Sequence, residues 1–292
     1  NPFNEHKTFY KFAKEHVIIK QKKINSFLIN DYSRAKTSVL DCMKPFMISY
    51  TQKEAGFETT IKELVLIVEA PKRIYDMCNR LKKDLVIEGQ EHVILADTNV
   101  KLMQKLHQMY SGTVKFEDGQ SMVLDTFKAE FIKEYFKDRK IALFYKFKEE
   151  YNALKEVYGS KLCNTLEEFC NTDKNIALQI VSGREGISLK DADCLVYYNI
   201  DFSATSYWQS RDRMTTKTRA DNTVSWVFTA NGIEPKIYRA VKSKKDYTLK
   251  HFKKDLFNWF ILVMLYGMTE QQIQSKRIQE LEEQGYYVIK LL

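Results

Sequence analysis

Apolar positions along this chain change their spacing from one stretch to the next. From Asn4 to about Leu40, aromatic and basic residues interleave in a mixed pattern that leans toward helix. The register then sharpens. Glu63-Leu64-Val65-Leu66-Ile67-Val68-Glu69 is a short apolar run bounded by charge, which predicts a buried strand. Pro71 follows at a first helical position, and Ile74, Tyr75, Cys78 and Leu81 share one helical face. Asp97-Thr98 offers a cap for the next helix, whose apolar side includes Val100, Leu102, Met103 and Leu106.

The second half alternates more strictly. Ile141 to Tyr145 reads as a buried strand, and Phe147 to Tyr158 has helical spacing that ends at Gly159, a suitable C-cap. Asn175 to Val181, Cys194 to Tyr198 and Thr223 to Phe228 are further strands, with a helix-like stretch from Ser206 to Met214 between the last two. Strands alternating with helices predict βαβ units and a parallel sheet covered on both faces, an α/β domain from roughly Ile61 to Ala240. In such sheets the chemistry sits on loops at the carboxyl ends of the strands. Two segments therefore matter most: Ser182 to Ser188, and the turn entering Ser206 to Arg219.

Composition narrows the class. The 292 residues carry 46 Lys+Arg against 38 Asp+Glu, a net charge of +8, and are 44% hydrophobic. That is enough apolar mass for a core, which excludes a disordered tail. The 10 Gly and 4 Pro exclude a collagen-like or linker-like chain. The longest apolar run, Trp259 to Tyr266, falls well short of the roughly 18 residues of a membrane helix. Asn1-Pro2-Phe3 has neither an initiator Met nor a signal peptide, so the chain reads as the middle of a longer protein. Five cysteines without a CxxC pair predict buried, reduced thiols in a reducing compartment. The five histidines stand singly, without ligand spacing, which predicts no metal site. The basic balance fits either an anionic partner such as nucleic acid or simply lysine-rich solvated faces.

An α/β chain with this charge invites a search for a nucleotide site. None of the ten glycines is followed by lysine, so the Gly-Lys-Ser/Thr of a phosphate loop is absent, and so is any Asp-Glu dipeptide to hold magnesium. What remains is Gln209-Ser210-Arg211-Asp212-Arg213, with Arg219 further on. Arginines two residues apart point to different sides of a helix and need separate partners. One can pair with Asp212 or a neighbouring carboxylate while the other faces outward; a solvated charged helix is the plainer alternative.

Ser182-Gly183-Arg184-Glu185-Gly186-Ile187-Ser188-Leu189, then Ala192 to Tyr198, then Trp208 to Thr216 occur in one order and spacing. The set resembles the second RecA-like lobe of superfamily two helicases, most closely the Swi/Snf-type double-stranded DNA translocases, in a small bacteriophage variant. Pro45-Phe46-Met47-Ile48 with Thr51-Gln52-Lys53 is similar to the segment joining the two lobes, and Leu106 to Gly112 to the helix before motif IV. Ile233-Glu234 with Lys242 to Lys245 is similar to the closing helix. The resemblance covers about Leu40 to Lys254. It implies residues 1–60 as the end of a first lobe and a mostly helical linker, 61–254 as the second lobe, and 255–292 as a short helix-strand tail.

By that resemblance the chain is the C-terminal lobe of an ATP-dependent DNA helicase or translocase. ATP and Mg2+ would be held chiefly by a first lobe, so the chain would not hydrolyse ATP alone. Arg213 would be the arginine finger, with Gln209 directed toward the nucleotide. Glu185, Gly186, Asp212 and Arg219 would lie at the ATP and lobe interface. Ser182, Gly183 and Arg184 would touch the backbone of a duplex read without regard to sequence. The implied setting is the cytoplasm of a bacterium or phage-infected cell, with no membrane partner. A non-catalytic nucleic-acid-binding or interaction module with the same fold is the alternative. Three positions depart from the family: Thr216 replaces a second arginine, Arg184 a second glycine, and Ser49-Tyr50 a more basic pair. Residues from Thr269, with Glu270 and Tyr286 to Leu291, resemble the opening of a virus-type replication-repair nuclease (VRR-NUC) domain, or else form an amphipathic helix and edge strand packing on the lobe.

Overall fold

The computed structural model describes residues 6–290, except 25–26, 49–52, 58–60, 184–185, 218, 220, 265–267, 270–271, 273–274, 277–278, 280–281 and 284–286. Side chains are described over the same residues, without 24, 259–264 and 287–290. The linker residues Ser49 to Gln52, the loop residues Arg184 and Glu185, and Glu270 thus lie outside the described residues. The chain divides into two compact units, Asn1–Glu58 and Thr59–Leu292.

The first unit holds helix α1 (Phe9–His16), strands β1 (Lys20–Ile24) and β2 (Phe27–Asp31), and helix α2 (Ser38–Met43). Thr8 caps α1, its Oγ1 accepting from Lys11 N at 3.3 Å. β1 and β2 pair antiparallel, Lys20 opposite Asp31 and Ile24 opposite Phe27. The interleaved pattern leans toward helix in the sequence, but two short runs ending in Ile24 and opening on Phe27-Leu28-Ile29 pair better as strands, with turn-favouring Asn25-Ser26 between them in sequence. Among the described residues of this unit only Ala13, His16 and Val17 are buried.

The second unit opens with β3 (Lys62–Val68), α3 (Lys72–Asp84), the hairpin β4 (Val86–Glu88) and β5 (Val93–Leu95), and α4 (Asn99–Tyr110). A second hairpin follows, β6 (Thr113–Lys115) and β7 (Ser121–Val123), then α5 (Phe127–Tyr135), β8 (Ile141–Tyr145), α6 (Lys148–Tyr158), β9 (Leu162–Cys163), α7 (Leu166–Asn171) and β10 (Asn175–Gln179). The chain continues through the short α8 (Ile180–Gly183), β11 (Cys194–Tyr197), α9 (Ala204–Arg211), β12 (Thr223–Thr229), α10 (Glu234–Lys242), α11 (Leu249–Met264) and β13 (Tyr287–Lys290). Seven strands form one sheet in the order β13-β3-β12-β11-β8-β10-β9, and every pairing in it is parallel. Helices cover both faces, which makes the unit a RecA-like α/β arrangement.

The period-two alternation of the strands decides which side chain meets which layer. Val65, Ile67, Leu195, Tyr197, Trp226 and Phe228 face α3, α4, α9 and α10. Leu66, Val68, Cys194, Val196 and Val227 face α5 and α6. Trp226 stacks on Tyr197 at 3.8 Å and packs on Tyr207 and Tyr238, all fully buried.

Most local signals in this unit match the elements. Thr98 Oγ1 accepts from Lys101 N, and Gly159 ends α6 at φ +56°. Pro71 lies one residue before α3 rather than inside it. The helix entered at Ser206 in the sequence starts at Ala204 under a Ser203 cap and tightens to a 3₁₀ turn over Asp212–Met214. Both short hairpins and α5 lack a periodic signal. Three cysteines are buried, but Cys42 is half-buried and Cys170 exposed. β13 extends the main sheet beside β3, Tyr287 opposite Leu64. Thr269 and Gln272 bond reciprocally, as in a helix-capping box. Among the described residues no helix is long and apolar enough to cross a membrane.

Candidate functional site at the carboxyl edge of the sheet

β10 runs into α8, and β11 is followed by α9, so both segments singled out by the sequence leave the same edge of the sheet. α8 packs against α9 and β8. Gly183 permits this contact: a Cβ there would lie 2.5 Å from Phe144 Cε1 and 3.2 Å from Leu178 Cβ. Its absent side chain is thus a packing requirement. Ser182 is exposed and donates to Gln179 O at 3.2 Å. Gly186 is exposed at φ +70°, a left-handed conformation suited to glycine. The loop returns to α9 through Leu189 N, which donates to Arg213 O at 2.8 Å.

The two arginines at the end of α9 have opposite surroundings. Arg211 Nη1 donates to Glu63 Oε1 at 2.9 Å, and its guanidinium lies 4.2 Å from the Trp208 ring centre. Glu63, on β3, also accepts from the Tyr207 hydroxyl at 2.5 Å and from Tyr238, with Lys242 Nζ at 3.1 Å. Burial works against the Glu63 charge, yet the bonds from Tyr207 and Tyr238 and the Lys242 ammonium hold its carboxyl below the ordinary value. Arg211 is therefore part of a buried ionic hub. Arg213 has no carboxylate partner among the described residues; its Nε donates to Gln209 O at 3.0 Å. Gln209 Oε1 is buried without a donor among the described residues. Asp212 lies 3.7 Å from Arg211 Nε.

Arg219 is occupied differently. It donates to four main-chain carbonyls, those of Lys190, Ala192, Asp193 and Asp221, at 2.5–2.9 Å. These bonds brace the segment between the Gly186 loop and β11. The structure thus packs α8, with Ser182 and Gly183, against α9 at the carboxyl edge, whereas Arg211 meets Glu63 at the start of β3 and Arg219 holds the turns that precede β11 and β12, at the amino edge.

Sequence spacing did not reveal a buried polar chain at the same edge. His107 Nε2 donates to Asn199 Oδ1 at 2.5 Å, and Asn199 Nδ2 donates to Glu150 Oε1 at 2.5 Å. Glu150 Oε2 accepts from the main-chain N–H groups of Lys146 and Phe147 at the start of α6. Burial pushes Glu150 up, and burial together with the nearby Lys146 charge pushes His107 well below the usual imidazole value. Lys146 pairs with Asp201. Only a His and a Glu on otherwise apolar helix faces hinted at this chain.

A second concentration of positive charge lies between α10 and α11. Lys236, Arg239, Lys245, His251 and Lys254 line an open groove of about 340 Å³, where Asp255, the one lining carboxylate among the described residues, accepts from the Tyr247 hydroxyl at 2.8 Å.

The fold defines an α/β RecA-like unit in which the glycine-bearing α8 packs against α9, whose far end carries Arg211. Solved structures similar to the chain include the C-terminal part of the Fun30 ATPase domain, at 16% identity and TM-score 0.39, covering 49% of this chain and 55% of that one. The Sulfolobus solfataricus SWI2/SNF2 ATPase core domain is similar at 14% identity and TM-score 0.44, covering 71% and 48%. A crystal structure of fission yeast Ccq1 and Tpz1 is similar at 12% identity and TM-score 0.44, covering 77% and 92%. The chain spans about half the length of the first two. No family model and no curated protein matches the sequence.

Proposed function

We propose that this chain is the second lobe of an ATP-dependent, Swi/Snf-like DNA translocase. In this reading it supplies Arg213 to ATP bound on another lobe and part of the track along a duplex backbone. One observation carries the reading: of two arginines in a single turn, Arg211 is neutralised by Glu63, while Arg213, among the described residues, bonds to the main-chain carbonyl of Gln209 and to no carboxylate. A guanidinium held this way can turn toward a phosphoryl group arriving from outside. Neutralising the charge that develops there is worth on the order of 10³–10⁵ in rate. Gln209, whose buried Oε1 lacks a donor, would take one from the nucleotide or from the opposing lobe. Ser182 and Gly183 would meet a DNA phosphate while the Gly186 turn lies at the lobe interface, with the basic groove between α10 and α11 adding positive charge for the duplex.

The absence of a phosphate loop in the sequence supports dependence on a separate first lobe for ATP and Mg2+. Exposed apolar side chains in the first unit, among them Phe9, Tyr10, Phe27, Leu28, Phe46 and Ile48, support a protein partner of that kind. The test is ATP turnover by the purified chain with and without duplex DNA, then with a separately expressed first lobe. The reading requires no turnover alone, recovery on mixing, and loss of that recovery in Arg213→Ala. Robust turnover by the chain alone refutes it. Duplex binding without any recovery would instead favour a non-catalytic nucleic-acid-binding module.

A further inference from the structure

We propose that His6, Glu15, His16 and Cys42 bind one divalent cation of the zinc class in the first unit. The ligand atoms of His6, Glu15 and His16 all lie within 4.8 Å of one another. His6 Nε2 is 2.9 Å from Glu15 Oε2, so one carboxylate oxygen meets the first imidazole. The other oxygen, Oε1, is 3.9 Å from His16 Nε2, and Cys42 Sγ approaches that nitrogen at 3.8 Å. Zinc bonds of about 2.0–2.3 Å in a tetrahedron set ligand-to-ligand edges of roughly 3.3–3.7 Å. Both longer contacts are close to that edge, and Cys42 Sγ, which reaches His16 but is not within 4.8 Å of all three other ligand atoms, would close on the ion as it binds.

The surroundings favour metal over a simple hydrogen-bonded pair. His16 Nδ1 is 3.0 Å from Ser38 Oγ. With Nδ1 donating to that hydroxyl, Nε2 is left as the ligating nitrogen, as an outer partner arranges in established metal sites. His6 Nδ1 is buried without a partner among the described residues, and the Phe12 ring wedges beside both imidazoles at 5.7 and 5.1 Å. Glu15 is open to solvent and provides the entry path. Two neutral imidazoles, a carboxylate and a thiolate carry two negative charges, which balance a dication. Binding displaces the proton between His6 and Glu15 and the Cys42 thiol proton to solvent.

Such a site has a structural purpose. It ties α1 to α2 in a unit with only three buried residues among those described, too small a core to hold its fold unaided. Sequence spacing hides the site, because His6, His16 and Cys42 are brought together only by α1 and the return of the chain through α2.

The experiment is a titration of cobalt(II) chloride into the chelator-stripped full chain, with zinc content measured on chain purified from zinc-supplemented cells. The expected result is one equivalent of metal, a tetrahedral ligand-field spectrum and a thiolate-to-cobalt charge-transfer band. Cys42→Ser should remove the charge-transfer band and leave the imidazole-derived spectrum. Ser38→Ala should weaken binding about 10- to 100-fold. His6→Gln, at the less buried imidazole, should lower affinity with an unchanged far-ultraviolet spectrum, so that lost binding is not lost folding. Less than a tenth of an equivalent of metal, or binding unaltered in His6→Gln and Ser38→Ala, overturns the proposal. So does a thiolate band that survives Cys42→Ser and disappears with Cys170→Ser.

Discussion

Replacing Arg211 and Arg213 one at a time by alanine separates the anchored cation from the available one. Arg211→Ala removes a charge-assisted bond of 2.9 Å to Glu63, whose side chain is only 7% exposed. Breaking a buried pair costs about 3–5 kcal/mol when the remaining charge is uncompensated. Here Lys242 at 3.1 Å and two tyrosine hydroxyls remain on Glu63, which brings the loss nearer the roughly 1.5–3 kcal/mol of one hydrogen bond to a charge. The stack on Trp208 adds about 0.5–1 kcal/mol. The sum is about 2–4 kcal/mol, or a fall in Tm of roughly 5–12 °C for a unit of this size. Arg213→Ala loses one bond to a helix-end carbonyl and should cost less than about 1 kcal/mol. Urea unfolding followed by fluorescence of the buried Trp226 measures both. Equal destabilisation by the two substitutions, or a larger loss from Arg213→Ala, would refute the division of roles on which the proposed function rests.

Three further outcomes follow from the packing and the buried charges. Gly183→Ala places a methyl 2.5 Å from Phe144 Cε1 and should cost about 1–3 kcal/mol, while Gly183→Ala with Phe144→Leu should cost clearly less than the two single changes added together; strict additivity in a double-mutant cycle would count against the contact. Lys128 and Glu234 form a fully buried pair at 3.2 Å, so Lys128→Ala should cost about 3–5 kcal/mol, and the paired change to Lys128→Met with Glu234→Leu should recover most of it in the same unfolding assay. His107 has its pKa depressed in the folded state, so below about pH 6.5 the unfolded chain binds more protons and stability falls as pH falls, by up to about 1.4 kcal/mol per unit from this group. His107→Gln should remove that part of the slope, and parallel losses in both proteins between pH 7.5 and 5.5 would assign it elsewhere.

Strand positions were legible in the sequence because a strand buried on both faces must be apolar throughout. The runs at Leu64–Val68, Ile141–Tyr145 and Cys194–Tyr197 announce themselves for that reason. Helix caps at Thr98 and Gly159 were legible because their bonds are local. The hairpins between α3 and α5 were not, since three-residue strands carry too few alternations to register. The Glu150–Asn199–His107 chain was equally hidden: its members are 49 and 92 residues apart and meet only when β11 lies beside β8.

At the candidate site the same division holds. By itself the sequence determined an α/β sheet, the loop around Gly183 and Gly186, the arginine-bearing turn at Arg211–Arg213, and the lack of a phosphate loop, because each depends on residue type and short-range spacing. Tertiary structure alone decided which arginine is neutralised, since Glu63 reaches Arg211 from a strand 148 residues away. It also decided that Arg219 braces main-chain carbonyls and that His6, Glu15 and His16 converge. Charges and ligands act over a few ångströms in space, and the chain order does not encode those distances until the sheet and helices have packed.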